Sequence, residues 1–554
     1  MKNIHILLAL IVSSILLFSC SLEEEILDTA TPGSFILFEE DVDFALIGAY
    51  AAMNTTSTFG RDAMWLYNSS GDDLFSTAGN ASGQWAKKIT INSGFGLNNA
   101  LWSGFYQGVS RANSVLDYVE SADVSEVFKA KARSEAYFLR GFWHFSLTQL
   151  YGDIPLVLKA IDASDDFYTS NDSRDVIYEQ LFTDFRAAAD NLPTKADQLA
   201  EEFGRATKEA AWGYMAKASL YYANYLDLEG RSGESAAFYI QAASYADSVI
   251  LGGNYSLVQD YGALWDVNNE AVAYQEVIWS CINTRDPVET GNPGEGAPMN
   301  RFFLPNSIGN ATGANNGNGN SVWKVHPWFY ERYTVGDYVG DYRVERTFLT
   351  NWPDRRNGRD ITTFPFPVTD LNEPQPYVFK YVDGDANTGN NHENDLFLMR
   401  LSDLYLMKAE ALNELDGPTP DALAAFNALR ERARMADGTP RKTPPDLTVS
   451  DVPSREDFRM KIFDERGLEF IGEYNRYSDL TRMRAPDNQR TMYEFQFDEF
   501  LPGLPQGLPA WDGDSWSAGR TEPSNISYDP KWLLFPIPSN QAATNPNLVQ
   551  NTGW

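Results

Sequence analysis

Apolar residues recur at helical spacing through much of this chain, most clearly near its first third. From Lys131 to Tyr151 they return every three or four positions, which predicts one helix with a continuous apolar face. Gly152 is expected to end that helix, and Pro155 prevents its resumption. The apolar positions are Ala132, Ala136, Leu139, Trp143, Leu147 and Leu150.

Two further stretches predict helical hairpins of tetratricopeptide type. Thr207 stands where an N-cap is needed for "KEAAWGYMAKASLYYANY", and a second helix from about Ser235 to Leu251 follows a Gly-containing turn. The pattern returns in a helix from Asp403 to Leu415, after which Thr419 and Pro420 supply a cap and a first-turn proline for "DALAAFNALRERAR". With further helices predicted at about 41–53, 97–119 and 455–472, the pattern indicates a helical repeat scaffold of irregular period.

Between the hairpins the chain changes character. From about residue 285 to 395 it carries "GNPGEGAP", "NSIGNATGANNGNGN" and "NWPDRRNGRD", interleaved with aromatic clusters such as "VWKVHPWFYERY". Clusters of Gly, Asn and Pro do not sustain long helices, so this region is predicted to be irregular loop with short strands. A second irregular stretch without a predicted helix runs from about residue 494 to 530. Loops held by a rigid scaffold are where binding usually resides.

The N-terminus has the three-part layout of an export signal. Lys2 supplies a positive charge, an apolar run from Ile6 to Phe18 is broken only by two serines, and Ser19 is small. The run is shorter than the roughly 20 apolar residues that span a bilayer, so residues 1–19 are predicted to be removed. No other segment approaches the length of a membrane span.

The end of that run resembles a bacterial lipobox, Leu17 to Cys20, in which Cys20 would be acylated and become the mature N-terminus. An ordinary signal peptide with an incidental cysteine is the alternative. Residues 20–40 are then a lipidated tether, which holds the protein at a membrane without spanning it. Three acidic residues behind the cysteine, Glu23 to Glu25, resemble the surface-export signal of Bacteroidetes-type lipoproteins and predict a location outside the outer membrane.

Composition and charge exclude several classes of function. The 554 residues, 43 % of them apolar, are enough to bury a sizeable core. A net charge of -32 and a pI near 4.5 exclude nucleic acid as a partner, since its binding rests on neutralising phosphates with Lys and Arg. They argue more weakly against polyanionic glycans, because a local basic patch is compatible with an acidic protein.

Metal, cofactor and disulfide chemistry are not expected. With Cys20 committed to lipid, Cys281 stands alone in "EVIWSCIN" and is predicted to be a small core residue rather than a nucleophile. Outside the signal only His144, His326 and His392 remain, without a zinc-binding spacing. No EF-hand-like spacing is present either. The sequence therefore predicts no bound metal and no cofactor.

Five blocks of sequence, in order, resemble the SusD-like (RagB/SusD) family of outer-membrane nutrient-binding lipoproteins. The central block is "SEAYFLRGFWHFSLTQLYGDIPLV", which is similar to the signature helix and Gly-Asp-x-Pro turn of that family. The others are "LWSGFYQGVSRANSVLDYV", "GRATKEAAWGYMAKASLYYANY", "MRLSDLYLMKAEALNEL" and "IFDERGLEFIGEYNRYSDLTRMR", the last followed by the ending "LLFPIPSNQAATNPNLVQNTGW". Together they span nearly the whole mature chain.

The resemblance implies a fold and a role. The fold is mainly α, with about four tetratricopeptide-like helix pairs packed against an irregular, loop-rich lobe with short strands. Residues 41–554 form one SusD-like domain, with helical repeats at about 41–284 and 396–480 and a ligand-binding lobe at about 285–395 and 485–554. Proteins of this family bind a glycan without cleaving it and act with a SusC-like TonB-dependent transporter, whereas RagB-like relatives handle peptides.

Candidate ligand contacts come from two segments that mix aromatic rings with hydrogen-bonding groups. Sugars present apolar CH faces to rings and hydroxyls to polar side chains, and 14 % of this chain is aromatic. The first segment is "GRDAMWLYNSSGDDLFSTAGNASGQW" and the second belongs to the long insertion. The candidates are Arg61, Trp65, Tyr67, Asn68, Asp72, Asp73, Trp85, Trp323, Trp328, Phe329 and Tyr330. Core packing is the competing role for each ring.

Carboxylates permit other interpretations. Asp72 and Asp73 invite a glycosidase reading, which requires two carboxylates flanking one bond, but adjacent residues usually diverge. Glu465, Glu469 and Glu473 align along one helix face. With Arg466 and Arg476 nearby, a structural ion-pair network is favoured over catalysis.

Three functions other than glycan binding therefore stay open: a RagB-like oligopeptide binder, a surface glycoside hydrolase and a pure protein scaffold.

Overall fold

The computed structural model describes ten stretches of the chain. These are residues 38–76, 92–161, 168–284, 298–308, 319–354, 357–363, 376–383, 392–435, 439–503 and 529–554. The predicted signal peptide, Cys20, Glu23 to Glu25 and Trp85 lie outside them. None of the helices in the described stretches is both long enough and apolar enough to cross a membrane.

Helices make up most of the described chain. In chain order they are α1 (Glu39–Tyr50), α2 (Asp62–Ser70), α3 (Gly96–Val119), α4 (Glu126–Tyr151), α5 (Arg174–Asn191), α6 (Lys208–Leu228), α7 (Ser232–Ile250), α8 (Glu270–Ala273), α9 (Met299–Phe303), α10 (Pro327–Arg332), α11 (Tyr342–Thr347), α12 (Leu401–Asp416), α13 (Pro420–Arg434), α14 (Arg455–Phe470), α15 (Arg476–Arg482), α16 (Met492–Phe495), α17 (Leu501–Gly503) and α18 (Ser539–Thr544).

The predicted caps begin the scaffold helices. The Thr207 side chain accepts a hydrogen bond from the backbone N–H of Ala210 at the start of α6, and Thr419 accepts one from Ala422 at the start of α13. Each bond satisfies an N–H that the first helical turn leaves without a partner. Gly152 ends α4 with φ of 75°, a left-handed conformation that glycine adopts without steric cost. Both hairpins predicted from the sequence are confirmed.

The long helices pack side by side in one row. Each helix from α3 to α6 packs against the next one in the chain, and α7 then packs against α12, which pairs with α13 and α14. The 150 residues between α7 and α12 are thus an insertion into the row. The predicted mainly α, tetratricopeptide-like scaffold is confirmed.

Short strands fix the insertion to the scaffold. They are β1 (Leu74–Phe75), β2 (Val277–Cys281), β3 (Lys324–Val325), β4 (Phe348–Leu349), β5 (Asn351–Pro353), β6 (Asp360–Thr362), β7 (Tyr377–Val378) and β8 (Leu396–Arg400). All pair antiparallel in two-stranded sheets: β1 with β3, β2 with β8, β4 with β7 and β5 with β6. Because β8 runs directly into α12, the β2–β8 pair closes the base of the insertion.

The structure also differs from the sequence predictions. Helix α4 begins five residues earlier than expected, because Ser125 caps it by accepting a hydrogen bond from the N–H of Phe128. Helix α5 was not predicted. The expectation of no helix from residue 494 is wrong for residues 494–503, since Thr491 and Glu494 form a capping box that starts α16, and a π-helical turn and α17 continue it.

Candidate functional site

The two candidate segments meet in the structure, although about 250 residues separate them in sequence. Leu74 of β1 pairs with Val325 of β3, and Phe75 pairs with Lys324. Beside this pair, the backbone N–H of His326 donates to the carbonyl of Asp73 over 3.0 Å. The described part of the first segment therefore lies directly against the insertion, as a shared site requires.

The tryptophans of both segments form the packed interior of this junction. Trp65 and Trp323 lie with ring centroids 4.7 Å apart, and Phe302 contacts both rings. Trp328 packs against Phe500, with ring centroids 5.2 Å apart. All three tryptophans are buried. Their burial assigns them packing roles, and their contact with a ligand stays a prediction.

Tyr67 and Asn68 are also buried, on helix α2. The ring of Tyr67 meets those of Tyr474 and Tyr477 edge-on, at centroid distances of 5.6 and 6.5 Å. The Asn68 amide nitrogen is buried and has no hydrogen-bond partner among the described residues. Helix α2 has no exposed face along its length, because all nine of its residues are buried.

Asp72 forms an ion pair with Arg476, which lies 404 residues later in the sequence. Its two carboxylate oxygens accept hydrogen bonds from Nε and Nη2 of Arg476, at 2.5 and 3.0 Å. Asp72 is buried, Arg476 is nearly so, and the guanidinium also lies 3.9 Å from the ring centre of Phe463. A buried carboxylate that is held by two hydrogen bonds from one guanidinium has a structural role.

Asp73 has a different environment from its neighbour. It is buried, and its Oδ1 atom has no hydrogen-bond partner among the described residues. Burial raises the pKa of Asp73 to about 7, and the nearby Arg476 only partly offsets that effect. The two adjacent carboxylates therefore do not form an exposed pair that could flank a glycosidic bond.

Arg61 and Tyr330 are the candidate residues that reach the surface within the described ranges. The Arg61 side chain is 43 % exposed and its Nε donates to Asp62 over 2.8 Å. Tyr330, on α10, is half-buried, with its ring 5.3 Å from that of Phe348. Phe329 next to it is buried. Trp85, the remaining candidate, lies outside the described residues.

Glu465 and Glu469 of α14, and Glu473 in the turn that follows it, belong to a buried ion-pair network, as predicted. Glu469 and Glu473 both bind Arg400, at 3.0 and 2.9 Å, and Glu465 binds Arg343 at 2.6 Å. The further members are Glu276, Asp341, Lys380, Arg430 and Arg432. These ten side chains, five acidic and five basic, are all buried. At the edge of the network Arg430 also binds the partly exposed Asp337 at 2.8 Å.

Two details of that network differ from the prediction. Arg466 binds Asp403 and Asp479 instead of the glutamates, and Arg476 binds Asp72. Burial opposes the ionisation of Glu469, yet Arg432, Arg400 and Arg343 together hold its pKa well below the usual range. Spacing along one helix identified the acids, but their true partners come from β8, α11 and α13 and were not visible in the sequence.

Cys281 has a structural role. Cys281 is buried on β2, where its thiol donates to Oδ1 of Asn54, so the predicted core role is confirmed. Burial raises the pKa of this thiol far above its usual value. Across the part of the chain that the structure describes, no group of three or more His, Cys, Asp or Glu side chains is placed to hold a metal ion.

Comparison with known proteins settles the family. A sequence profile described as "SusD family" matches residues 275–554, which is more than half of the chain. The chain belongs to the SusD family. A second profile, described as "Starch-binding associating with outer membrane", matches residues 23–220. The two matches together include both candidate segments.

Relatives of the SusD family match over nearly the full length. The "SusD-like protein P2" of Formosa agariphila is 25 % identical over 551 residues, which cover 98 % of each chain. A solved SusD homolog from Bacteroides thetaiotaomicron has a TM-score of 0.75 at 20 % identity, covering 94 % of this chain and 98 % of its own. Surface glycan-binding protein A from Bacteroides uniformis has a TM-score of 0.68 at 21 % identity, covering 93 % and 99 %. At these identities the structural likeness shows a shared SusD fold.

Proposed function

We propose that this protein is a non-catalytic glycan-binding lipoprotein on the cell surface that works with a SusC-like TonB-dependent transporter in nutrient uptake. Membership of the SusD family supports this role, as do the glycan-binding name of one structural neighbour and the outer-membrane description of one matching profile. The lipid attached to Cys20 would hold the protein at the outer membrane.

The observation that carries the proposal is the pairing of β1 with β3. It brings the described part of the first candidate segment against the insertion that contains Trp323, so both contribute to one region. In this proposal Arg61, Tyr330 and Trp85 contact the glycan. The buried candidates Trp65, Tyr67, Asn68, Asp72, Asp73, Trp323 and Trp328 support that surface from beneath.

We propose that the protein is not catalytic because of how the structure places Asp72 and Asp73, the adjacent carboxylates that suggested a glycosidase. Asp72 is bound to Arg476 and Asp73 is buried, so neither is available as an exposed acid or nucleophile. A glycosidase would need one carboxylate on each side of the scissile bond. Binding without turnover is therefore the role that the arrangement supports.

Calorimetry on a soluble form comprising residues 21–554 tests the proposal. Neutral glycans, acidic glycans and oligopeptides are titrated in turn, while release of reducing ends is measured in the same samples. We expect saturable binding to one glycan class without release of reducing ends. Trp85→Ala should bind at least tenfold more weakly, since aromatic rings that stack on a ligand contribute substantially to affinity.

A matched variant controls for nonspecific effects of removing an aromatic ring. Phe44 on α1 is 64 % exposed and belongs to neither candidate segment, so Phe44→Ala should bind like the unmodified protein. Release of reducing ends would overturn the non-catalytic role. Binding of peptides and of no glycan would instead assign the protein to the RagB-like branch.

A further inference from the structure

A cleft of about 460 Å³ lies apart from the two candidate segments. Its walls are the C-terminal end of α4, the first turns of α5, the second half of α6, helix α15, residues 489–494 and the C-terminal segment 530–552. None of the residues that line it belongs to residues 61–85 or 323–330. Its volume is in the range of roughly 300–1,000 Å³ that small-ligand sites occupy.

The cleft is held by contacts that fix the C-terminal segment. The Asn551 amide donates to the carbonyls of Tyr151 and Phe535, at 2.9 and 2.7 Å. The indole N–H of Trp554 donates to the carbonyls of Lys531 and Leu534, at 3.0 and 3.1 Å. The C-terminal segment is therefore hydrogen-bonded to the end of α4 and between its own two ends, so this wall of the cleft is formed before any ligand binds.

A buried hydroxyl without a partner lies at the inner end of the cleft. Tyr221 on α6 is only 3 % exposed, and its hydroxyl makes no hydrogen bond within the described chain. The guanidinium of Arg482 covers its ring at 4.5 Å, which fixes the side chain. A buried polar group that lacks a partner costs free energy, so a ligand or water that bonds to it recovers that cost.

Tyr221 also lines a smaller internal cavity of about 50 Å³ behind the cleft. Gln149, Tyr221 and Ser478 line both spaces and so form the boundary between them. The Tyr474 hydroxyl in the inner cavity is likewise buried and has no partner in the described chain. A cavity of this size, lined by several polar groups, has room for ordered water. Such water can link a ligand to the interior.

The charges that line the cleft are balanced. Three basic and three acidic side chains take part: Arg174, Arg482, Lys531, Asp153, Glu229 and Glu494. Arg482 and Lys531 are already paired, with Glu410 at 2.5 Å and with Asp529 at 2.9 Å. Arg174 lies 4.6 Å above the ring of Tyr225. Its Nε makes no hydrogen bond in the described structure and lies 3.8 Å from Oδ1 of Asp153, a longer ion-pair contact. A balanced, hydroxyl- and amide-rich lining fits a neutral polar ligand.

We propose that this cleft is a second binding site, for a neutral sugar unit whose hydroxyls bond to Tyr221 and Arg174. The choice of a sugar rests on the proposed glycan-binding function, whereas the existence of the site rests on the cleft, on the buried Tyr221 hydroxyl without a partner and on the Arg174 Nε that makes no hydrogen bond. The site would hold the end of a bound glycan, or a short oligosaccharide, while the surface near β1 and β3 holds longer chains.

The decisive experiment removes a single atom. Tyr221→Phe deletes the unpartnered hydroxyl and keeps the ring, so the melting temperature without ligand should stay unchanged or rise slightly. Glucose, galactose, mannose, xylose and N-acetylglucosamine are each titrated by saturation-transfer NMR against residues 21–554. At least one should bind to the unmodified protein, and Tyr221→Phe and Arg174→Gln should each weaken it about fivefold or more.

The neighbouring tyrosine provides a matched control. The Tyr222 hydroxyl donates to Oδ1 of Asp175 over 2.9 Å and Tyr222 does not line the cleft, so Tyr222→Phe should lower the melting temperature and leave sugar binding unchanged. Equal sugar affinity in Tyr221→Phe, Arg174→Gln and the unmodified protein would overturn the second site, as would binding of none of the five sugars. Saturation of the cleft by a neutral tripeptide alone would overturn the sugar assignment.

The two sites fail separately. Polysaccharide binding that is lost in Trp85→Ala but retained in Tyr221→Phe, with no binding of the five sugars, would leave the proposed function intact and remove the cleft site. If the unmodified protein bound neither polysaccharides nor any of the five sugars, both proposals would be wrong.

Discussion

Two adjacent aspartates have opposite roles in this protein. Asp72 is paired in the interior, because Arg476 donates hydrogen bonds to both of its carboxylate oxygens. Asp73 lies next to it without an equivalent partner, and its burial raises its pKa to about 7. From sequence the pair resembles the two carboxylates of a glycosidase. In the structure Asp72 joins the segment after α2 to Arg476 at the start of α15, whereas Asp73 lies buried beside the insertion, where its carbonyl accepts from the N–H of His326.

The pH dependence of stability should separate the two aspartates. The pKa of Asp73 is raised on folding from about 3.8, so its protonated form is favoured in the folded state and folding loses free energy as the pH rises toward 7. Asp73→Asn removes that loss. Relative to the unmodified protein, the variant should gain about 1 to 4 kcal/mol in unfolding free energy between about pH 4 and pH 8, at no more than about 1.4 kcal/mol per pH unit.

Urea titrations at several pH values would measure this difference, with Asp72→Asn as the control. Removing one member of the buried Asp72–Arg476 pair should lower the free energy of unfolding by about 3–5 kcal/mol at neutral pH. A constant difference between Asp73→Asn and the unmodified protein across the pH range would contradict the assigned burial effect.

Single residues also explain why candidate ligand contacts were hard to predict. Trp65, Trp323 and Trp328 lie in segments without a helical pattern, where rings are expected at the surface. They are buried because β1 pairs with β3 and closes the segments over one another. That pairing joins residues about 250 apart, and no local spacing in the sequence contains it. Arg61 and Tyr330 are the members that the fold leaves accessible in the described ranges.

Helices and their ends were predictable where the signal is local. Thr207, Thr419 and Gly152 act where the sequence placed them, because a cap needs only the neighbouring backbone. Helix α5 was missed although its sequence carries the helical signal, since Ile177, Leu181, Phe185 and Ala188 recur every three or four positions and are buried. Its N-cap residue, Ser173, makes no side-chain cap bond. Its stability comes from packing against α4 and α6, which is a tertiary effect.

Close approach between α3 and α4 makes a prediction about glycines. A Cβ atom on Gly108 would lie 2.2 Å from the ring of Trp143, which is fully buried among Phe59, Phe105 and Phe142. Gly108→Ala should therefore lower the free energy of unfolding by about 1–3 kcal/mol. Thermal and urea unfolding measure the change.

Gly48 in α1 supplies the opposite case. A Cβ there meets nothing within 4 Å, so Gly48→Ala should raise the free energy of unfolding by about 0.5–1 kcal/mol through its better helix propensity. A similar change of the same sign in both variants would show that Trp143 moves away without cost, against the packing described.

At the scale of the whole molecule, buried charge joins the insertion to the scaffold. Arg400 lies where β8 passes into α12, and it binds Glu276, the residue before β2. It also binds Glu469 of α14 and Glu473 in the turn that follows α14. Lys380 reaches the same glutamate, Glu473, from the insertion. Ion pairs of this kind gain little over apolar packing, but they are specific in geometry. We infer that the network fixes how the insertion sits on the helical row.

The charge of the whole molecule predicts how salt affects glycan binding. With a net charge of -32, the protein repels polyanions at long range, while a neutral glycan experiences no such field. Raising salt from about 0.01 M to about 1 M shortens the Debye length from about 30 Å to about 3 Å and removes that repulsion. The association rate of a carboxylated polysaccharide should therefore rise severalfold with salt, whereas that of a neutral glycan should stay constant. Biolayer interferometry on immobilised protein measures both rates. An association rate for the carboxylated polymer that falls with salt would mean that a local basic surface, and not the net charge, governs its approach, and would favour an acidic glycan as the ligand.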